Sequence, residues 1–162
     1  MAASFPTSVK SFTTKQAAGG ILSEHVNSLQ EEVVAIETAL GVNVGAWQNY
    51  TATPTGWEAG YTRVFRYALV GKICFFEIYI TGTSNNATTS LTLPFTSATI
   101  SGFNWSGVCA SVTDNSVLLT TSTRWAISSG AASIVFLKDM ANGAFTASGG
   151  KTIRAQGFFE VA

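Results

Sequence analysis

Apolar residues between positions 22 and 40 recur at the spacing of a coiled-coil helix. Their intervals alternate between four and three residues, which is the pattern of a heptad seam. The stripe consists of Leu22, Val26, Leu29, Val33, Ile36 and Leu40. Ser23 suits an N-cap, and Gly41 suits the position just after a helix. We therefore predict a single amphipathic stem helix over residues 21–41.

The chemistry of this helix leaves two arrangements open for its apolar stripe. Three heptads are too few to hold a coiled coil together alone. The helix carries four glutamates and no lysine or arginine. In a parallel bundle Glu32 would face Glu37 of a neighbouring chain, where like charges repel. The stripe therefore either forms a coiled coil with other copies of the chain or packs against the β domain or another protein.

After a short linker the apolar pattern changes to a period of two, which is typical of β-strands. The strongest hairpin pairs Arg63–Val70 with Ile73–Ile80. Gly71 and Lys72 join the two arms, with glycine first, as a type II′ turn requires. On the second arm the core-facing side chains should be Cys74, Phe76, Ile78 and Ile80. The opposite face is apolar enough to contact another subunit, and it carries Ile73, Phe75, Glu77 and Tyr79.

Turn signals recur about every ten residues through the rest of the chain and divide it into short strands. We predict these further strands at 88–93, 107–112, 116–120, 124–127, 133–137 and 152–161. Their number and spacing favour a sandwich. The predicted chain is thus mainly β, with an extended arm and one α-helix before an antiparallel, jelly-roll-like β-sandwich head over residues 46–162.

Residues 1–20 have no helical period and read as an extended anchoring arm. Pro6 restricts the backbone, and a Gly-Gly pair at 19–20 interrupts the chain. Phe5, Val9 and Phe12 are apolar anchors in a polar stretch that has no core of its own. Such a segment becomes ordered by lying in a groove on a partner.

The charge content of the chain is low and balanced. Charged residues make up 11% of the chain, the formal net charge is zero and the mean hydropathy is +0.28. This excludes the basic patches that bind nucleic acid or anionic membranes. No apolar run reaches the roughly 18 residues of a membrane span, so membrane insertion is not expected. The composition predicts a surface covered by other subunits, and the alternative is a monomer with a neutral Ser/Thr surface.

The chain lacks the residue sets that catalysis or metal binding requires. Its one histidine, His25, falls on the predicted stem, away from any nucleophile of the β domain. Cys74 and Cys109 form no metal-binding pair and fit buried strand positions. The carboxylates of the β domain form no close sequence pair of the kind a glycosidase uses. We therefore expect no enzymatic activity, metal or other cofactor.

Four residues of the head have the composition of a carbohydrate site. They are Asn104, Trp105, Arg124 and Trp125. Exposed tryptophan rings stack on sugars, while asparagine and arginine bind hydroxyls. The competing interpretation is that the tryptophan rings fill the ends of the sandwich, as large aromatic side chains usually do.

Two stretches of the sequence resemble virion structural proteins of tailed bacteriophages. The first is similar to the N-terminal attachment region of phage minor structural and fibre-type proteins, and it comprises Ser4–Phe12, Ser23–Glu37 and Leu40–Val42. The second is similar to the β head domain that often follows, and it includes Tyr50–Thr55, Tyr61–Arg63, Val70–Lys72 and Leu91–Pro94. Ala52 and Thr53 interrupt the usual Tyr-Thr-Pro-Thr of that domain.

This resemblance extends over residues 4–94 and implies a position on a virion, with synthesis in the bacterial cytoplasm. Such proteins serve as tail fibres, head fibres or decorations, and receptor-binding tips, and most are homotrimers. The implied partners are further copies of the chain and capsid or tail proteins. A carbohydrate-binding module at a tail tip, which contacts a host-surface glycan, is the alternative function. No catalytic residue is implied.

Deletion of residues 1–20 should leave a soluble head that no longer joins the particle. Each of the three arm anchors contributes about 1.5 to 3 kcal/mol when fully buried, and several arms in one assembly bind together. Full-length or truncated protein is mixed with particles that lack the native copy. The measurement is the amount of each protein that binds to the particles. Equal occupancy would place the anchor elsewhere, with the acidic helix the next candidate.

Overall fold

A computed structural model of the chain describes residues 23–43 and 45–162, and within the helix it describes the side chains from Val26 to Ile36. The predicted arm, with its anchors Phe5, Val9 and Phe12, lies outside the described residues, as do Leu22 and the side chain of Leu40. The chain divides into two units, 1–46 and 47–162. Each unit is described by itself.

The described part of the first unit is helix α1, Ser23–Asn43. The predicted single helix is therefore confirmed, although it continues two residues past Gly41. Glycine permits a helix end but does not force one, whereas a proline would. No described helix has both the length and the hydropathy to cross a membrane.

The second unit is an antiparallel β-sandwich of two sheets, which confirms the predicted fold class. The six-stranded sheet contains, in spatial order, β1 (Gln48–Asn49), β3 (Thr62–Val70), β4 (Ile73–Thr83), β11 (Gly150–Glu160), β7 (Ser111–Asp114) and β8 (Val117–Leu118). The five-stranded sheet contains β2 (Pro54–Thr55), β5 (Thr89–Thr92), β10 (Ser133–Leu137), β9 (Arg124–Ser128) and β6 (Asn104–Val108). The chain passes repeatedly between the sheets, in the jelly-roll-like manner.

Apart from one, each predicted strand begins and ends within three residues of an observed strand. The hairpin of β3 and β4 is present, and the φ of +59° at Gly71 suits the first position of its predicted turn. The predicted strand 107–112 is wrong, because the chain leaves β6 at Val108 and enters β7 of the other sheet at Ser111. The alternation continues through this crossing, so the pattern alone does not reveal it. The two-residue strands β1 and β2 were not predicted.

The centre of the core is the indole of Trp125, which lies between the two sheets. Its neighbours in the two sheets are glycines, and a Cβ added at Gly107 or Gly157 would lie 2.6 or 2.3 Å from Cζ2 of this ring. Phe76 meets the indole edge-on, with 5.0 Å between ring centroids and 80° between planes. The inward face of β4 predicted as core, Cys74, Phe76, Ile78 and Ile80, is buried as expected.

Gly157→Ala should destabilise the head, because its methyl group would overlap Trp125 and Phe76 in a packed core. Overpacking of this kind costs about 1 to 3 kcal/mol of the free energy of unfolding. The measurement is urea denaturation followed by circular dichroism. Gln156→Ala, one residue away on the exposed side of β11, is the matched control and should change stability by less than about 0.5 kcal/mol. Equal stability of the two variants would show that the glycine is not needed for this packing.

Candidate functional site

The outward side chains of β3, β4 and β11 are ordered in rows across the six-stranded sheet. From one end to the other the rows are Val70–Ile73–Glu160, Ala68–Phe75–Phe158, Arg66–Glu77–Gln156, Val64–Tyr79–Arg154 and Thr62–Thr81–Thr152. We call this surface, together with Trp47 just before β1, the outer face. Its first two rows are mostly apolar and its other rows mostly polar.

The apolar end of the outer face exposes large aromatic rings. Trp47, Phe75 and Phe158 are 44, 40 and 56% exposed. The two phenylalanine rings lie 6.1 Å apart at 49°. Ala68, beside Phe75 in the same row, is buried. An open groove of about 250 Å³ is lined by Trp47, Phe75 and Phe158 together with Glu77 and Gln156.

The polar rows of the outer face have their charges paired or stacked on rings. Arg66 Nε donates to Glu77 Oε2 at 2.9 Å, and Arg66 Nη2 makes a second, very short bond to the same oxygen. The Arg66 guanidinium also lies over the Trp47 ring at 5.1 Å, and that of Arg154 over Tyr79 at 5.0 Å. The charged residues of the outer face are Arg66, Arg154, Glu77 and Glu160, so its formal net charge is zero.

The outward side of the five-stranded sheet has a different character. Most of its outward side chains are small and uncharged: Ser90, Thr92, Asn104, Ser106, Ala126, Ser128 and Ser133. The larger outward residues are Val135 and the row Val108–Arg124–Leu137. No aromatic ring points outward from these strands within residues 45–162. Among the described strands, outward-pointing aromatic rings are therefore found on the six-stranded sheet only, although Phe103, just before β6, is also 48% exposed.

The four residues predicted to contact a glycan do not form one site. Trp105 and Trp125 are only 7 and 4% exposed and belong to the core, where their faces are covered. Asn104 and Arg124 lie on the outward side of the same strands. Neighbouring residues of a strand point to opposite faces, so neither tryptophan can share a surface with the polar residue beside it. The competing interpretation, that the rings fill the sandwich, is the one that the burial supports.

The sandwich also contains a buried lysine that the sequence analysis missed. Lys151, at the start of β11, is 1% exposed. Its Nζ donates to the carbonyl oxygens of Gly56 at 3.0 Å and Asn86 at 3.1 Å, and to Thr89 Oγ1 at 2.9 Å. The ammonium also lies 4.9 Å from the centre of the Trp57 ring. All three N–H bonds of a lysine ammonium are thus used.

A buried carboxylate lies in the same region. Asp114 accepts hydrogen bonds from the backbone and the hydroxyl of Thr146, and its Oδ2 lies 2.7 Å from Nζ of the half-exposed Lys138. Burial raises the pKa of Asp114, but the bonds from Lys138 and Thr146 lower it more, so it stays below its ordinary value. The network satisfies buried charges and holds the loop before β11 against β7.

Residues 23–43 and 45–162 hold no cluster of three or more histidine, cysteine, aspartate or glutamate side chains suited to a metal ion. Cys74 and Cys109 are buried free thiols, and burial raises the pKa of each to about 11. A protonated, enclosed thiol is a poor nucleophile.

Two features in this region could have been found from the sequence. Lys151 is in phase with Ile153, Ala155 and Phe159 on the inward side of β11, so the period of two already placed it in the core. Phe158 is in phase with the polar residues Arg154 and Gln156, which marks it as an exposed ring. Trp47 carries no such signal, because its position follows from the pairing of β1 with β3.

Comparison of the chain with protein-family models, with curated proteins and with solved structures finds no match. The candidate site is therefore defined by its own geometry. That geometry is a formally neutral sheet face that exposes the rings of Trp47, Phe75 and Phe158.

Lys151 should make the stability of the head depend on pH. Burial lowers the pKa of this lysine from 10.5 to about 8, an effect that the Asp114 carboxylate partly opposes. Between pH 8 and 10.5 the unfolded chain therefore holds more protons at this residue, so its contribution to the free energy of unfolding rises with pH. Below pH 8 the lysine is charged in both states and its contribution is constant.

The measurement is the urea midpoint of wild type and Lys151→Met at pH 7 and pH 9. The rise with pH should be present in wild type and lost in Lys151→Met, whereas Lys72→Met, in the exposed turn, should keep it. Above pH 9 the two buried thiols lower the free energy of unfolding as the pH rises, because burial raises their pKa to about 11. An identical pH response of wild type and Lys151→Met would contradict the assignment.

Proposed function

We propose that this chain is a non-enzymatic structural protein of a tailed-bacteriophage particle. It assembles as a homotrimer, is anchored to capsid or tail proteins by residues 1–20, and displays its β-sandwich head as a small fibre or decoration. Every part of this proposal concerns binding and assembly. None requires a catalytic residue, a metal or another cofactor.

The observation that carries the proposal is the apolar stripe of helix α1. Val26, Leu29, Val33 and Ile36 are 54, 55, 44 and 38% exposed in the single chain. Burying side chains of this size contributes about 1.5 to 3 kcal/mol each when complete. A single helix with such a stripe gains this energy only when another surface covers it. Matching stripes on other copies are the covering surface that the heptad spacing favours.

The trimeric state and the position on a particle rest on the resemblance to phage virion proteins in residues 4–94. The composition supports them independently, because a chain with 11% charged residues and zero net charge has little electrostatic resistance to association. The low charge also disfavours nucleic acid as a partner.

The carbohydrate-binding alternative receives no support from the geometry. Its two stacking rings, Trp105 and Trp125, lie in the core. The exposed rings are instead on the outer face of the six-stranded sheet, where Trp47 is already covered on one side by the Arg66 guanidinium. The assembly function is therefore the single proposal that the observations favour.

Leu29→Asp should weaken assembly and leave the head folded. The substitution places a carboxylate in the apolar stripe, at a cost of several kcal/mol if the site is buried between chains. Light scattering after size exclusion should give three times the protomer mass of 17.0 kDa for wild type, and a lower mass for the variant. Circular dichroism should show an unchanged strand signal, since the head has a core of its own.

Gln30→Asp is the matched control, because it adds the same charge at the adjacent exposed position, outside the stripe. It should assemble like wild type. A wild-type mass of 17.0 kDa at micromolar concentration would contradict the proposed assembly. Equal masses of wild type and Leu29→Asp would show that the stripe is not the contact.

A further inference from the structure

We propose that the outer face of the six-stranded sheet is a second interface between copies of this chain, separate from the stem helix. This inference rests on the proposed assembly and names a surface of the head that takes part in it. The interface centres on Trp47, Phe75 and Phe158, with the rows of Arg66 and Tyr79 at its polar side.

The size of the exposed aromatic surface is the first argument. Three rings, each about half exposed, leave roughly 300 Å² of contiguous apolar area in water. Val70 and Val64, exposed on the same face, extend it. The largest apolar patch on a typical monomer is about this size, and it is often functional. The groove of about 250 Å³ bounded by Trp47, Phe75 and Phe158 gives the surface a concavity that a side chain can enter.

The contrast between the two sheets is the second argument. The outward residues of the five-stranded sheet are mostly serine, threonine and other small side chains. Its larger outward residues, Val108, Arg124, Val135 and Leu137, include no aromatic ring. Both sheets belong to one sandwich and have the same requirement for inward apolar residues. The aromatic residues on the outside of only one sheet are therefore not explained by folding of the single chain.

The charges on the outer face favour an electrically neutral occupant, such as a further copy of the chain. Arg66 and Arg154 balance Glu77 and Glu160, so the face attracts neither a polyanion nor a strongly basic partner. The Arg66–Glu77 pair is already closed within the chain, so covering it leaves no unpaired charge. A second copy is itself electrically neutral and meets this face without excess of either sign.

The covalent structure favours the same occupant. Only residues 44–46 separate the last helical residue, Asn43, from Trp47. A linker of three residues spans at most about 10 Å, so chains joined through their stems keep their heads at a high effective concentration. A weak contact between heads is then populated, although it would not hold two free heads together.

The test is subunit exchange between full-length oligomers labelled at the N-terminus with donor or acceptor dyes. Phe158→Arg puts a charge at the centre of the outer face, and it should accelerate exchange roughly tenfold or more. Val135→Arg is the control, because it adds the same charge at an outward position of the five-stranded sheet and should exchange like wild type. Circular dichroism checks that each variant keeps the strand signal.

Exchange of Phe158→Arg at the wild-type rate would overturn the inference while leaving the proposed assembly intact. A wild-type mass of 17.0 kDa in light scattering would contradict both. If Phe158→Arg exchanges at the wild-type rate but the variant no longer joins the particle, the outer face contacts another virion protein. That result would also overturn the inference. If Phe158→Arg does not fold, Phe158→Ser removes the ring without adding a charge, and it should still exchange faster than Val135→Arg.

Discussion

The indole of Trp125 sets the spacing of the sandwich, because it fills the whole gap between the sheets at one point. Gly107 beside it and Gly157 across from it have no side chains, and a single methyl group at either position would lie inside the ring's contact distance. Gly157 is part of β11, which pairs with β4 along eleven residues. The position of the ring therefore fixes how the longest ladder of one sheet packs on β9 of the other.

Farther along β11 the same inward face holds a charge in place of an apolar side chain. The Lys151 ammonium is tolerated there because Gly56, Asn86 and Thr89 each accept one of its hydrogen bonds. These acceptors come from the loop after β2 and from the segment around the start of β5. The lysine thus links irregular backbone at one end of the sandwich through hydrogen bonds that a hydrocarbon side chain could not make.

Once the core is packed, the surface of the head is left with two unequal sides. The five-stranded sheet presents small polar residues, and the six-stranded sheet presents rows of aromatic and paired charged residues. Helix α1 adds its own exposed apolar stripe in the other unit. A chain with few charges and two such surfaces is suited to assembly, and this is the common physical basis of the proposed function and of the second interface.

The sequence by itself determined the class of fold, the stem helix, the main hairpin and the core face of β4, because a period of 3.5 or 2 is a local property of the chain. It also placed Phe75 and Tyr79 on a second, partly apolar face. Tertiary structure decided the rest. The change of sheet after Val108, the burial of Trp105 and Trp125, and the pairing that brings Trp47 to Phe158 all depend on contacts between distant segments. Alternation shows which residues share a face, but only the packing of two sheets decides which face is covered.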